Sequence, residues 1–219
     1  MSRTLCQHCQ RPNKACICTF VTAINNTIPV VILQHPNEVE HSKGTVTLLA
    51  KSLEHCQIII GEDFSNNSAL AQVLSQYHAM LLYPSEKSEV LSLQSANTGK
   101  SNNTSKELCL IILDGTWKKA YRMFMLSKKL QSLPQVCLPE SLANSGQYLI
   151  RKVAKKNALS SLEACCYALA LLEEDGERDL VKRVKGNEEP LDLHRYQPLL
   201  NKFAQFNQFQ LLFRQNKNS

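Results

Sequence analysis

Two rhythms of apolar residues alternate along the chain. Short, mainly apolar runs at 28–33, 58–60, 79–83, 108–113, 135–138 and 148–150 have the length of buried β-strands, and that at 108–113 is unbroken. Between them, apolar positions recur three and four residues apart: Val46, Leu48, Leu49, Leu53 and Cys56; then Ala69, Leu70, Val73 and Leu74; then Trp117, Ala120, Tyr121 and Phe124. The stretch 159–174 carries Leu162, Cys165, Cys166, Leu169 and Leu172 at helical spacing. A closing stripe of Leu199, Leu200, Phe203, Phe206, Phe209, Leu212 and Phe213 repeats the pattern. Strands alternating with helices predict an α/β sandwich on a mainly parallel sheet, since parallel neighbours need crossover connections of about helix length. The interval 85–107, rich in Ser, Asn, Thr and Lys and poor in apolar residues, predicts a flexible excursion within that fold.

Composition leaves that reading intact. With 219 residues, 43% of them hydrophobic, the chain can fill one sizeable core. No apolar run reaches membrane-spanning length, and residues 1–6 lack the apolar core of a secretory signal, so a cytoplasmic protein with no membrane partner is expected. A net charge of +6 suits a polyanionic partner without requiring one. The N-terminus adds something new, because four of the nine cysteines fall there as Cys6-x-x-Cys9 and Cys16-x-Cys18. Four soft ligands around a short polar loop can close a tetrahedral zinc site, and a metal explains how so small a segment becomes ordered. A redox pair and unbound thiols are the alternatives, and His8 can replace one cysteine. The division expected is a four-cysteine zinc-binding segment at 1–22 and a main domain at 23–219.

Chemistry concentrates where the run 108–113 breaks into Asp114-Gly115-Thr116-Trp117. In an open α/β sheet ligands collect beyond the carboxyl ends of strands, which makes Asp114 and Thr116 candidate catalytic residues. Asp or Thr before a helix is equally a routine N-cap, and Trp117 equally a core residue. A second polar loop, Gln34-His35-Pro36-Asn37-Glu38, follows the first strand; it either holds a polar ligand or is a solvated connection. The helix after Thr116 presents Lys118, Lys119, Arg122, Lys128 and Lys129, a basic face that either tracks a phosphate backbone or is simply solvated.

Asp114-Gly115-Thr116-Trp117 resembles the Asp-x-Thr-Trp signature of the DTW-domain family, itself similar to the SPOUT superfamily and including tRNA-uridine aminocarboxypropyltransferases. The resemblance extends, in family order, through the cysteine cluster, Gln34-His35-Pro36-Asn37-Glu38, Leu82-Tyr83-Pro84-Ser85-Glu86 and Leu159-Ser160-Ser161-Leu162-Glu163-Ala164. It implies a SPOUT-like sandwich with a C-terminal trefoil knot whose crevice binds S-adenosylmethionine, formed by the loops after the strands at 108, 135 and 148. It also implies tRNA as partner and a structural zinc at Cys6, Cys9, Cys16 and Cys18. On that basis Asp114, Thr116 and Trp117 are expected to be catalytic, and Leu113, Gly115, Leu138, Arg151, Ser161 and Glu163 to bind cofactor. Arg151 would pair with the methionine carboxylate, while helix capping also accounts for Ser161 and Glu163. The expected reaction moves the 3-amino-3-carboxypropyl group of S-adenosylmethionine to N3 of a tRNA uridine and releases methylthioadenosine. The alternatives are a SPOUT-like RNA methyltransferase and a non-enzymatic zinc-knuckle RNA-binding protein in which Asp114 is only a cap.

Overall fold

A computed structural model describes residues 4–39, 45–91, 106–143, 159–173 and 193–215. Its centre is a six-stranded sheet, β1 (Val30–Gln34), β2 (Cys56–Ile60), β3 (His78–Leu82), β4 (Glu89–Val90), β5 (Leu108–Asp114) and β6 (Gln135–Cys137). The spatial order is β2-β1-β5-β3-β6-β4 and every pairing is parallel. The helices are α1 (Val46–Ser52), α2 (Ser68–Gln76), α3 (Trp117–Leu126), α4 (Lys128–Gln131), α5 (Glu140–Ala143), α6 (Ser161–Glu173) and α7 (Gln197–Gln215). None of the described helices is long and apolar enough to cross a membrane.

Alternation along the buried strands builds two cores, one on each face. Val30 and Ile32 of β1 with Leu110 and Ile112 of β5 meet α1, α6 and α7, whereas Val31, Leu33, Cys109 and Ile111 meet α2, α3 and α4. Helix α6 is buried almost all round, from Leu162 to Leu172, because it lies between the sheet and its neighbours. Its last residue, Glu173, is a clasp. Its Oε1 accepts the amide N–H groups of Thr27 and Ile28 at 2.7 and 2.8 Å, and its Oε2 accepts from Arg195 at 2.7 Å and from the Tyr196 hydroxyl. The approach to β1, the end of α6 and the start of α7 are thereby tied at one carboxylate.

The cysteine segment packs into the same core rather than hanging from it. Cys9 and Ile17 are buried with α6 and α7, and the Phe20 ring lies 5.6 Å from Phe206 and 5.4 Å from Phe209. Lys51 of α1 donates to the His8 carbonyl at 2.9 Å.

Several boundaries differ from those expected. Cys56 opens β2 instead of closing α1, because α1 ends at Ser52 and Leu53 is already extended. The first strand is Val30–Gln34, so Gln34 belongs to the sheet, and the central strand runs through Asp114. The polar interval 85–107 contains β4, whose two residues are both exposed and so carry no apolar signal. Leu212 is exposed and stands outside the buried stripe of α7. The strand expected at 148–150 and most of the excursion, 92–105, lie outside the described residues.

Candidate functional site

Strands β1 and β5 run side by side in a register that sets Gln34 opposite Asp114. Both side chains share the sheet face that carries Ile32 and Ile112, and this face meets the amino end of α6. Gln34 Nε2 donates to Asp114 Oδ2 at 3.0 Å, and Ser161 Oγ donates to Asp114 Oδ1 at 2.8 Å. Asp114 is only 6% exposed. Both oxygens act as acceptors, as an ionised carboxylate requires, and the helix N-terminus adds favourable partial positive charge. The N-cap of α3 is Thr116, which accepts the Lys119 amide at 3.4 Å. Asp114 is therefore not merely the cap of that helix.

Around this carboxylate the chain ends are tightly ordered. The ladder continues one step as the His35 amide donates to the Asp114 carbonyl at 3.0 Å, while Gly61 donates to the Gln34 carbonyl at 3.0 Å. His35 caps the turn Pro36–Glu38, its Nδ1 accepting the Asn37 amide at 3.1 Å. That assignment leaves the ring proton on Nε2, which faces Glu62 Oε1 at 3.3 Å. Arg122 reaches the same Glu62 oxygen at 2.8 Å, and Lys119 pairs with Glu38 at 2.8 Å. Two cations of the basic face are thus engaged in binding α3 to the loops after β1 and β2. A Cβ on Gly115 would stand 3.1 Å from Lys119 Cβ and 3.7 Å from His35 Cβ, so the glycine permits this close approach.

The expected site residues divide accordingly. Asp114 and Ser161 meet directly, and Gln34, which the sequence placed only in a possible ligand loop, is their third member. Glu163 is buried and closes a capping box with Ser160: the Ser160 amide donates to Glu163 Oε2 at 2.8 Å, and the Glu163 amide to Ser160 Oγ at 3.2 Å. Leu113 packs on the opposite face of the sheet from Asp114, and Leu138 is half-buried beyond β6 against the α6 side. Trp117 is 59% exposed and is not core. Arg151 lies outside the described residues. The His35, Glu62 and Arg122 cluster was hidden in the sequence, because three distant segments supply it.

The four N-terminal cysteines converge, with every pair of sulfurs within 4.8 Å. The separations are 3.7 Å for Cys6 and Cys18, 3.8 Å for Cys9 and Cys16, and 3.6 Å for Cys6 and Cys16. A tetrahedron with metal–sulfur bonds of about 2.3 Å has edges of about 3.8 Å, so the cluster fits a metal ion held by four thiolates. Backbone hydrogen bonds at Cys9 and His8 pull the Cys6 thiol down to about 6, while burial and the adjoining sulfurs push Cys18 up to about 12. The other five cysteines are also free thiols, and burial raises those of Cys56, Cys109, Cys165 and Cys166.

Residues 3–211 match the DTW domain. A tRNA-uridine aminocarboxypropyltransferase 2 from Macaca fascicularis is 32% identical over 179 residues, covering 79% of this chain and 58% of that protein. Its counterpart from Drosophila melanogaster is 31% identical over 178 residues, 78% of this chain and 67% of that protein. A tRNA-uridine aminocarboxypropyltransferase A from Arabidopsis thaliana is 29% identical over 198 residues, 80% of this chain and 75% of that protein. The match thus spans little more than half the length of the macaque relative. No solved structure matches the chain.

Proposed function

The chain belongs to the DTW-domain family, and from that premise we propose that it moves the 3-amino-3-carboxypropyl group of S-adenosylmethionine to N3 of a uridine in tRNA, in the cytoplasm, releasing methylthioadenosine. The names of its relatives support the acceptor and the transferred group. One observation carries the reading in this chain. A buried carboxylate, Asp114, sits at the carboxyl end of a central strand with both oxygens held by Gln34 and Ser161.

A sulfonium donor supplies three electrophilic carbons, and orientation decides which one reacts. The imide N3 of uracil is a poor nucleophile while it keeps its proton. Asp114 accepts that proton as N3 bonds to the methionine-side carbon, and the carbon–sulfur bond breaks with its electron pair left on sulfur. Gln34 and Ser161 hold the carboxylate so that it need not reorganise as the proton arrives. Thr116 caps α3, whose first residue, Trp117, follows Asp114 by three positions in the chain.

The residues suit the donor. A carboxylate complements a sulfonium, half-buried Leu138 offers apolar surface for adenine, and Leu113 and Gly115 place backbone groups on either side of Asp114. Arg151 pairs with the donor carboxylate, while Ser161 and Glu163, in the first turn of α6, take the donor's backbone or amine. Cys6, Cys9, Cys16 and Cys18 hold a structural zinc with no open position, because thiolates fill all four corners.

Asp114→Asn tests the reading. It keeps shape while removing the base, and the helix cap at Thr116 is untouched. Turnover should fall by about two to four powers of ten while the melting temperature changes by only a few degrees. Near-normal turnover would leave Asp114 a structural residue.

A further inference from the structure

Helix α3, which starts three residues after Asp114, leaves an apolar stripe in solvent. Trp117, Tyr121 and Met125 are 59%, 57% and 50% exposed. At roughly 100° per residue, and with Trp117 at zero, Tyr121 and Met125 fall near 40° and 80°, with Lys118 and Arg122 near 100° and 140°. The buried residues Ala120 and Met123 occupy the other side. Three large apolar side chains therefore form one outward ridge, bordered by cations.

The charge around this ridge is one-sided. Residues 117–131 contain Lys118, Lys119, Arg122, Lys128 and Lys129 and no Asp or Glu. Lys119 and Arg122 are paired with Glu38 and Glu62. No carboxylate pairs with Lys118, Lys128 or Lys129 among the described residues. The helix is also firmly seated. Phe124 stacks on Tyr83 of the loop after β3 with centroids 4.7 Å apart, so the ridge is presented by a rigid element.

We propose that the Trp117, Tyr121 and Met125 ridge is a stacking platform for unpaired RNA bases, with Lys118 beside it and the lysines of α4 that follow it in the chain holding the phosphates. The inference rests on the tRNA reading above. Bases have apolar faces and phosphates are anionic, so single-stranded RNA satisfies both halves of the surface at once. What favours RNA over a protein is the border, whose unpaired charges are all positive. Duplex RNA hides its base faces in its own stack, so the platform selects a loop. Trp117 and Met125 are about 12 Å apart along the helix axis, room for about three bases at roughly 3.4 Å each.

Trp117 is the sole tryptophan, so its fluorescence reports on the ridge alone. Titration of the full chain with a ten-nucleotide oligouridylate should quench that emission, whereas inorganic polyphosphate of equal charge should leave it unchanged. Tyr121→Ala combined with Met125→Ala should raise the Kd for the oligouridylate about tenfold or more, with an unaltered melting temperature. The inference is overturned by no response to oligouridylate, by an equal response to polyphosphate, or by a concentration-dependent dimer that the double variant breaks. Turnover of tRNA is measured separately. Quenching without turnover upholds the platform while the transfer reading falls; turnover without quenching removes the platform alone.

Discussion

At the residue scale the account depends on how one carboxylate is held. Gln34 has no proton to exchange with substrate; it is a positioning residue, and its amide fixes the Asp114 oxygen that Ser161 does not. Gln34→Leu deletes that donor with little change in volume. A hydrogen bond to a charged group contributes about 1.5–3 kcal/mol, so kcat should fall by about one to two powers of ten with KM for the donor little changed. A donor to the ionised form favours ionisation, so its removal should move the acid limb of the pH–rate profile to higher pH. A fall in activity with an unmoved acid limb would mean that Gln34 serves only the sheet. Asp114 itself was legible in the sequence, because an unbroken apolar run ending in Asp-Gly-Thr marks a strand end. Gln34 was legible only as part of a polar loop and not as the partner of Asp114, since 80 residues separate the two and only strand adjacency brings them together.

At the element scale, periodicity found the central strand and α3 but not the direction α3 faces. Trp117 and Ala120 have the same helical spacing as a buried pair, yet Ala120 is buried and Trp117 is exposed. Spacing cannot tell an outward apolar ridge from an inward one. β4 escaped notice because an edge strand of two exposed residues has no pattern to read. The clasp at the end of α6 was hidden too, as its donors come from residues 27, 28, 195 and 196. Glu173 is 4% exposed at its side chain, and burial followed by its hydrogen bond raises the Tyr196 phenol well above its ordinary value. Glu173→Ala would leave these donors unpaired. A loss of about 2 kcal/mol is expected, which lowers Tm by roughly 4–8 °C in a chain of this size. An unchanged thermal melt would show that the three elements are held by packing alone.

The cysteine segment belongs to the same scale. Since Cys9, Ile17 and Phe20 share a core with Phe206, metal loss should spread beyond the loop. Chelation, or Cys18→Ser, should speed amide exchange first in residues 4–20 and then along α7, before donor affinity changes. Elemental analysis should find one zinc per chain. Four freely titratable thiols in the native protein, with no zinc, would remove this part of the account.

For the whole molecule, the sheet places the end of β5 beside the amino end of α6, and the central claim concerns what that junction does to a bound donor. Attack at the methyl carbon would leave S-adenosylhomocysteine, whereas attack at the methionine-side carbon leaves methylthioadenosine. Tight binding of the donor decides nothing, since only the geometry of the reacting atoms favours one path. The most direct measurement is mass spectrometry of the small molecules formed when the protein is incubated with S-adenosylmethionine and bulk tRNA. The account predicts methylthioadenosine, formed only when tRNA is present and lost when the target uridine is replaced by cytidine, whose N3 has no proton for Asp114 to take. S-adenosylhomocysteine as the product, or no turnover with any tRNA pool, would contradict it.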